Sequence, residues 1–511
     1  MFARLASLSL LLIGFNPLMA QEKPEKVVLD IWNAAHLSGQ HAGWVHTITR
    51  EVERDGQKLL RTQTDLELSV AREADAIRLR MITGTEETPE GKVTGVFMRQ
   101  FLSQTQELVI TGVVAGPELV IKIDPGDQKV FNKKVPWSEA NIGLYGQEMI
   151  FKNRKVKPGD EFTFQSFEPT VNNVITTHAL VKNFEPVKTL KETKTLLRVE
   201  LKTDKLDDGK IVVQLPPMMV WLDQNYDTIR TDSMIESLGP ITLYRTTKAV
   251  ATTLPAGKPA VNIGLNSLIP LNYRIIQPYE AEEVVYRITV RGDDHPETTF
   301  ARDARQTISK QEGNTIEMVV RATPPRKAGE KEADPGEEFL KSNYFINSDD
   351  EKVREHTRRA VGPTTDPWQK ALNIERYVHL TIKNKNYKEA FATADQVART
   401  LEGDCTEHAV LAAAMCRAAG LPSRTAVGLL YVDHEKKGPV MGFHMWAEVW
   451  VDGRWRPIDG VLGTGFVGAT HLKISDHSWH DVQSLTPLLP VYRVLGKLDI
   501  KVVTAQSRYQ R

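Results

Sequence analysis

Short stretches in which apolar and polar residues alternate fill the chain from Val27 to about Val250. Residues 44–49 (WVHTIT) and 64–69 (TDLELS) are two such stretches, and Asp55-Gly56 lies between them. An Asp-Gly pair between alternating stretches favours a tight hairpin turn. The pattern predicts an antiparallel β-meander domain over residues 21–253, with one face on a core and the other in water.

A second, smaller β domain is predicted over residues 260–325. Residues 284–290 and 315–320 alternate, and Gly313-Asn314 before the second stretch is a turn sequence. The Pro- and Gly-containing residues 254–259 separate this region from the meander.

The C-terminal third of the chain begins with helical periodicity. Residues 326–338 are charged and flanked by proline, which is typical of a linker, and we expect the last domain over residues 339–511. In that domain Asp366-Pro367 is a helix start, followed by apolar residues at helical spacing. The predicted fold class is therefore α+β, with antiparallel β domains preceding a mixed domain of helices and strands.

The first twenty residues have the composition of a secretory signal peptide. Arg4 is followed by an apolar stretch from Leu5 to Phe15, and Ala20 is a small residue at the expected cleavage site. About eleven apolar residues are too few to cross a hydrocarbon core of about 30 Å. Gln21 follows instead of a cysteine, which argues against lipid attachment. We expect residues 1–20 to be removed and the protein to be exported, either periplasmic or secreted.

Composition excludes some classes of partner. Lys+Arg and Asp+Glu number 65 each, so no net charge steers the protein toward nucleic acid, and we expect no nucleic-acid partner. No later segment is long and apolar enough to span a bilayer, so we expect no transmembrane segment. An association with the cell envelope fits the predicted export.

The two cysteines, Cys405 and Cys416, lie in one predicted helix. Residues 405–419 (CTEHAVLAAAMCRAA) are rich in alanine and end before the helix-stop residues Gly420 and Pro422. Eleven helical residues rise about 16 Å, whereas a disulfide needs Cα atoms within about 7 Å. The thiols therefore cannot pair. Burial accounts for Cys416, whose neighbours are apolar, while catalysis is a reason to keep Cys405 unpaired.

Cys405 is predicted to be the first residue of that helix. Asp404 and Glu407 form a capping-box pattern around it. The helix N-terminus favours a thiolate, and its free N–H groups could receive a developing oxyanion. The two carboxylates oppose a thiolate, so a cationic partner is needed.

A predicted hairpin supplies that partner. Residues 441–451 alternate, Asp452-Gly453 is a turn, and residues 454–459 return. A two-residue loop places His444, Trp446 and Asp459 on one face, with His444 and Asp459 diagonal neighbours at about 7–8 Å between Cα atoms. A carboxylate on one imidazole nitrogen orients the ring and leaves the other nitrogen for a thiol. Pro457 in the returning strand is where this register could fail.

Four short motifs carry a resemblance to a known family. They are residues 403–409 (GDCTEHA), 417–424 (RAAGLPSR), 444–449 (HMWAEV) and 455–459 (WRPID). Over about residues 365–465 the chain resembles the transglutaminase-like domain of the papain-like cysteine enzyme group, found in many exported bacterial proteins. Met445 and Gly460 stand where that family usually has alanine and often has proline.

The resemblance implies a papain-like α+β domain with Cys405 as nucleophile, His444 as general base and acid, and Asp459 as the residue that orients it. Trp446 could form a wall of the site or belong to the core. His408 could support the thiol or be a helix residue that is hydrogen-bonded inside the domain. We expect no cofactor and no metal.

Some alternatives stay open at this point. Cys405, His408, His444 and Asp459 are all zinc-ligand types, so a zinc-stabilised domain is one of them. His471, His477 and His480 form a loose cluster with Asp476, which is more typical of a solvated loop than of a metal site.

The function that the sequence favours is an exported cysteine enzyme. It would act on amide bonds of peptides or proteins through a thioester, as a peptidase or amidase or as a protein-glutamine acyltransferase, with hydrolysis slightly favoured over transfer to an amine. A non-catalytic binding module at the cell surface or in the periplasm, which keeps the fold, is the alternative.

Overall fold

The structure is a computed structural model, and it describes most of the chain. The described residues are 26–54, 56–72, 75–101, 107–124, 131–207, 212–213, 215–235, 239–255, 268–293, 295–323, 332–384, 391–480, 489–494 and 496–508. The predicted signal peptide, residues 1–20, lies outside them.

The first half of the chain is β-rich. Its strands are β1 Lys26–Leu37, β2 Gln40–Arg54, β3 Gln57–Arg72, β4 Asp75–Glu87, β5 Val93–Phe101, β6 Glu107–Ala115, β7 Glu118–Asp124, β8 Phe131–Pro136, β9 Glu161–Glu168, β10 Asn173–Lys188, β11 Thr193–Thr203, β12 Leu206–Asp207, β13 Val212–Val213, β14 Met218–Leu222, β15 Thr228–Ile235 and β16 Gly239–Thr246. Its helices are α1 Leu144–Arg154 and α2 Lys248–Thr252.

Fourteen of the described strands form one antiparallel sheet, which confirms the predicted meander. Their order is β8-β7-β6-β5-β4-β3-β2-β1-β16-β15-β14-β11-β10-β9, and β12 pairs with β13 as a separate hairpin. Arg54 pairs with Gln57 across a two-residue loop in which Gly56 has a φ of 76°. A positive φ at that position is what an Asp-Gly hairpin turn requires.

The second half of the chain is mixed. Its strands are β17 Ile269–Pro270, β18 Ala281–Val290, β19 Gln306–Glu312, β20 Thr315–Arg321, β21 Ser423–His434, β22 Gly438–Val451, β23 Arg454–Ile458, β24 His471–His477 and β25 Leu498–Ser507. Its helices are α3 Glu351–Val361, α4 Pro367–Thr381, α5 Ala394–Thr400, α6 Cys405–Ala418 and α7 Leu489–Val494. The predicted fold class, α+β after antiparallel β, is confirmed.

Two sheets organise this half. One has the order β17-β22-β21-β24, with β23 paired to β22, and the other has the order β19-β20-β18-β25. Strand β25, near the end of the chain, pairs with β18 from Val290↔Leu498 to Ala281↔Ser507. The hairpin of residues 306–321 therefore shares a sheet with the chain's last strand, and β17 joins the sheet that carries the candidate site.

Helix α6 lies in the centre of this half. Residues 406–417 are all buried, so the helix has no wet face and packs on α3, α4, α5 and strand β22. Its run of small alanines lets these neighbours approach closely, and Cys416 is completely buried among them. None of the helices in the described part of the chain is long and apolar enough to span a membrane.

Candidate active site

Cys405 is the first residue of α6, as the capping-box pattern predicts. Asp404 Oδ1 accepts a hydrogen bond from Thr406 N at 2.8 Å, and Glu407 Oε2 accepts one from Asp404 N at 2.9 Å. The two carboxyl groups thus accept hydrogen bonds from the backbone N–H groups of Asp404 and Thr406. The N–H of Cys405 lies between them in the first turn, where a helix offers no acceptor of its own. Cys405 itself is partly exposed.

Glu407 differs from the expectation that it opposes a thiolate. It is buried, and its pKa is raised to about 8 by that burial, by the charge of Asp404 and by a hydrogen bond between the two carboxyl groups. At neutral pH Glu407 therefore carries its proton and no charge. Only one of the two flanking carboxyl groups then acts against a negative sulfur.

The hairpin of β22 and β23 has the predicted register. Val451 pairs with Arg454, and the pairing continues to Ala447↔Ile458. Asp452 and Gly453 have φ values of 57° and 74°, as the two-residue turn requires. Pro457 does not shift the register, because β23 has β22 as its one partner among the described strands, and none of the others needs the missing N–H of Pro457.

This register brings His444 and Asp459 together. His444 Nε2 lies 2.8 Å from Asp459 Oδ2, and the two side chains are 6% and 1% exposed. Asp459 Oδ1 accepts a further hydrogen bond from Val461 N at 2.8 Å. The carboxylate is thus held at both oxygens, and the imidazole is held at one nitrogen.

The side chain of Cys405 interacts with His444, and this interaction favours the protonated imidazole. Because Asp459 occupies Nε2, the nitrogen left for the thiol is Nδ1. Burial alone would lower the pKa of His444, but the charge and hydrogen bond of Asp459, with the contact to Cys405, raise it to about 10. His444 is therefore protonated at neutral pH and supplies the cation that a thiolate at Cys405 needs.

Asp459 stays ionised in this buried place. Burial would raise its pKa, but the charge and hydrogen bond of His444, together with a hydrogen bond from His471, hold it well below its usual range. Glu375 on α4 adds a support that the sequence did not reveal, since its Oε1 accepts from Asp459 N at 3.1 Å. Burial and the charge of Asp459 raise the pKa of Glu375 to about 7.

The interpretation of residues 471, 477 and 480 as a solvated loop is wrong for His471. It begins strand β24, its side chain is 0% exposed, and its Nε2 lies 3.0 Å from the same Asp459 Oδ2 that holds His444. Burial, opposed by Asp459 and reinforced by the charges of His444 and Arg305, lowers the pKa of His471. The signal in the sequence was the start of a short strand, but nothing there showed which strand it would join.

The two supporting residues have distinct places. His408 Nδ1 lies 2.6 Å from the carbonyl oxygen of Asp404, so this ring is tied to its own helix. Trp446 is 1% exposed and packs on both imidazoles, with ring centroids 6.2 Å from His444 and 5.2 Å from His471. Trp446 thus packs behind the histidines as part of the core.

The proposed zinc set does not converge. Among the described residues, the group of three potential ligands whose atoms lie within 4.8 Å of one another is His444, Asp459 and His471, without Cys405 or His408. A metal on both Nε2 atoms would move the proton of His471 to Nδ1, which is buried and has no partner. Histidine ligands ordinarily donate that second N–H to an acceptor, so this set suits hydrogen bonding better than metal binding.

A buried charge cluster anchors β24 beside the site. Lys473 Nζ donates to Glu448 Oε1 at 3.0 Å and pairs with Asp476 at 3.1 Å and with Asp303. Arg424 pairs with the same Glu448 at 2.7 Å. Because Lys473 lies two residues after His471, this cluster also holds the strand that presents His471.

Comparison with known families identifies the domain that contains the candidate site. The model of the transglutaminase-like superfamily matches residues 354–460, so this part of the chain is a transglutaminase-like domain, and the resemblance seen in the sequence is confirmed. No curated protein matches the chain in sequence.

Solved structures give distant likenesses. A proposed cysteine protease from Cytophaga hutchinsonii is 16% identical, with 44% of this chain and 85% of that one covered and a TM-score of 0.27. A protein of a domain family of unknown function from Brucella abortus is 12% identical, with coverages of 43% and 95% and a TM-score of 0.30. The periplasmic domain of TgpA from Pseudomonas aeruginosa, bound to ethylmercury, is 12% identical, with coverages of 37% and 92% and a TM-score of 0.24. Likenesses this distant say nothing about activity.

Proposed function

We propose that this transglutaminase-like domain makes the chain an exported cysteine enzyme that acts on amide bonds of peptides or proteins through a thioester intermediate. Cys405 is the nucleophile, His444 the general base and acid, and Asp459 the residue that orients His444. The observation that carries the proposal is the buried pair of His444 and Asp459, whose Nε2 and Oδ2 atoms lie 2.8 Å apart, together with the interaction of Cys405 with the same imidazole.

The first half of the reaction follows from the resting charges. In the resting site the proton of the thiol already lies on His444, and the thiolate of Cys405 attacks the amide carbonyl carbon. The backbone N–H of Cys405, at the positive end of α6, donates to the oxyanion that forms. When the tetrahedral intermediate collapses, the C–N bond breaks, His444 gives its proton to the leaving amine, and a thioester remains on Cys405.

The second half releases the acyl group. His444, now neutral, takes a proton from the acceptor, which attacks the thioester, and the proton returns to the departing thiolate. We favour water as the acceptor because it is abundant wherever an exported enzyme works, and an amine acceptor would make the same site an acyltransferase. Asp459 keeps the imidazole in the tautomer that both halves need.

The test is reaction with a thiol-directed electrophile, followed by mass mapping of the adduct. We expect Cys405 to be labelled rapidly at neutral pH and Cys416, which is completely buried, to remain unlabelled. Cys405→Ala should lose the adduct and all turnover of a peptide library, while Cys416→Ala, the matched control, should keep both. Equal labelling of wild type and Cys405→Ala, or turnover that survives Cys405→Ala, would contradict the proposal and leave a binding module.

Export is a separate part of the proposal, and it is supported by the pattern of residues 1–20. The full chain expressed in a bacterial host should be recovered outside the cytoplasm with Gln21 as its first residue. Recovery of an uncut chain from the cytoplasm would contradict it.

A further inference from the structure

One carboxylate oxygen at the candidate site holds two imidazoles. Asp459 Oδ2 lies 2.8 Å from His444 Nε2 and 3.0 Å from His471 Nε2. The triad needs only the first of these bonds. His471 is completely buried, so its place at Asp459 is built into the fold and does not depend on solvent.

The proton of His471 can be located from its neighbours. The ring is buried beside two cations, His444 and Arg305, and this keeps it neutral. A neutral imidazole has one N–H, and the contact with a carboxylate oxygen requires it on Nε2. Nδ1 is then a bare acceptor, consistent with its having no hydrogen-bond partner among the described residues.

The strand pairing brings the two rings together. His444 on β22 pairs with Gly428 on β21, and Gly428 pairs with Lys473 on β24, two residues from His471. These positions share one face of the sheet. A Cβ on Gly428 would clash with the backbone of Leu472 and Lys473, so this glycine lets β24 lie close to β21. The centroids of the two rings are 5.7 Å apart.

We propose that His471 is a positioning residue for the reaction, which donates to the Asp459 oxygen that also holds His444, fixes the carboxylate, and loosens its hold on the His444 proton. The inference rests on the proposed function and adds a fourth residue to Cys405, His444 and Asp459.

The direction of the effect follows from where the charge lies. When His444 is protonated, the charge of Asp459 is largely compensated, and a further donor adds little. When His444 has given its proton away, the carboxylate is uncompensated, and the bond from His471 becomes stronger. His471 therefore stabilises the state in which His444 has released its proton, which is the state that follows donation to the leaving amine.

Other titratable groups face this cluster from several elements. Cys405 on α6 contacts His444, and Glu375 on α4 accepts a hydrogen bond from the backbone of Asp459. Arg305, which precedes β19, interacts with His471. Tyr279, which precedes β18, interacts with Asp459. Glu375 titrates near neutral pH and Tyr279 above its usual range, so the variants below must be compared with wild type over the whole pH range.

The experiment is the pH–rate profile of iodoacetamide alkylation at Cys405, with the adduct mapped by mass. In wild type we expect one rise where the thiolate–imidazolium pair forms and a second, at higher pH, where His444 loses its proton. His471→Phe keeps a ring against Trp446 and removes the donor, and it should move the second rise upward by about half to one pH unit. His471→Gln, which retains a donor, should move it back toward wild type, and His480→Leu, a change at an exposed histidine, should leave it unchanged.

A second measurement uses the unmutated protein. In ¹⁵N-histidine spectra His471 should keep its proton on Nε2 and a bare Nδ1 through the pH range in which His444 titrates. A second rise at the same pH in wild type and folded His471→Phe, or a His471 that carries its proton on Nδ1, would overturn the inference. If Cys405 of the wild type reacts only at the pH at which an ordinary thiol reacts, the proposed function is contradicted instead. The spectra would still test the bond from His471.

Discussion

Replacing Asp459 by asparagine should disable Cys405 without removing it. In the native protein the charge and hydrogen bond of Asp459, with a contribution from Cys405, raise the pKa of the buried His444 to about 10 against the opposing effect of burial. With a neutral amide in its place, burial dominates, and the pKa of His444 should fall below the usual value of about 6.5. The fall from about 10 to below 6.5 is at least about 3.5 pKa units, on the order of 5 kcal/mol of lost stabilisation of the imidazolium.

The consequence for Cys405 can be estimated from that loss. Without a cation beside it the thiol should behave as an ordinary one, and only a few per cent of an ordinary thiol is thiolate at neutral pH. Alkylation of Cys405 at pH 7 should then slow by roughly thirtyfold, from the thiolate fraction alone. Turnover should fall further, by about 10⁴, because the imidazole is also no longer held in the tautomer that the reaction needs.

The assay compares Asp459→Asn with Asp452→Asn. Asp452 lies in the turn of the same hairpin, its side chain is 67% exposed, and asparagine tolerates its φ of 57°. Asparagine at 459 leaves at least one buried N–H group unpaired, so we also expect about 1–3 kcal/mol of destabilisation, checked by denaturant unfolding. A folded Asp459→Asn variant whose Cys405 is alkylated with the wild-type pH profile would refute the reasoning.

Three further perturbations follow from the same contacts. The folded state holds the Glu407 proton up to about pH 8, whereas the unfolded chain releases it near 4.5, so the free energy of unfolding should fall as pH rises between these values. Glu407→Gln should flatten this dependence on pH in denaturant titrations, and an unchanged dependence would count against a protonated Glu407. Lys473→Met leaves three buried or half-buried carboxylates with less positive charge and should cost about 3–5 kcal/mol in denaturant unfolding, whereas the exposed Lys310→Met should cost almost nothing; equal costs would contradict the cluster's role. Ending the chain at Lys497 removes the apolar face of β25 that is buried against β18, and the burial of its three side chains contributes about 5–9 kcal/mol to stability. Residues 281–321 should then become sensitive to limited proteolysis, and resistance equal to that of the full chain would show that this pairing matters little.

Local patterns predicted the parts of the fold that local chemistry determines. The Asp452-Gly453 turn accepts positive φ at both positions, which sets the pairing of its flanking strands and so the diagonal placement of His444 and Asp459. The same reasoning predicted the hairpin at Gly56 and the start of α6 at Cys405. The catalytic roles of Cys405, His444 and Asp459 stay predictions until they are tested chemically.

Long-range pairing was not visible in the sequence. Strand β16 pairs with β1, and β25 pairs with β18, although many residues separate each pair along the chain. Alternation shows that a strand has two faces but does not name its neighbour, so the order of the sheets could not be derived from it.

For the same reason the sequence did not reveal Glu375 and His471 as part of the site. Glu375 reaches the backbone of Asp459 from α4, and His471 reaches its side chain from β24, two strands away from β22. Each looks ordinary in its own segment, because a single histidine or glutamate carries no local pattern that distinguishes a buried partner from a solvated residue.

The most direct test of the central claim is the ultraviolet absorbance of the Cys405 thiolate as a function of pH, taken as the difference between wild type and Cys405→Ser. If the buried imidazolium of His444 supports the sulfur, thiolate absorbance should already be present at neutral pH, well below the ordinary thiol value of about 8.5, and His444→Ala should abolish it there. Thiolate absorbance that emerges only above about pH 8.5 in wild type, or that is the same in His444→Ala, would contradict the account.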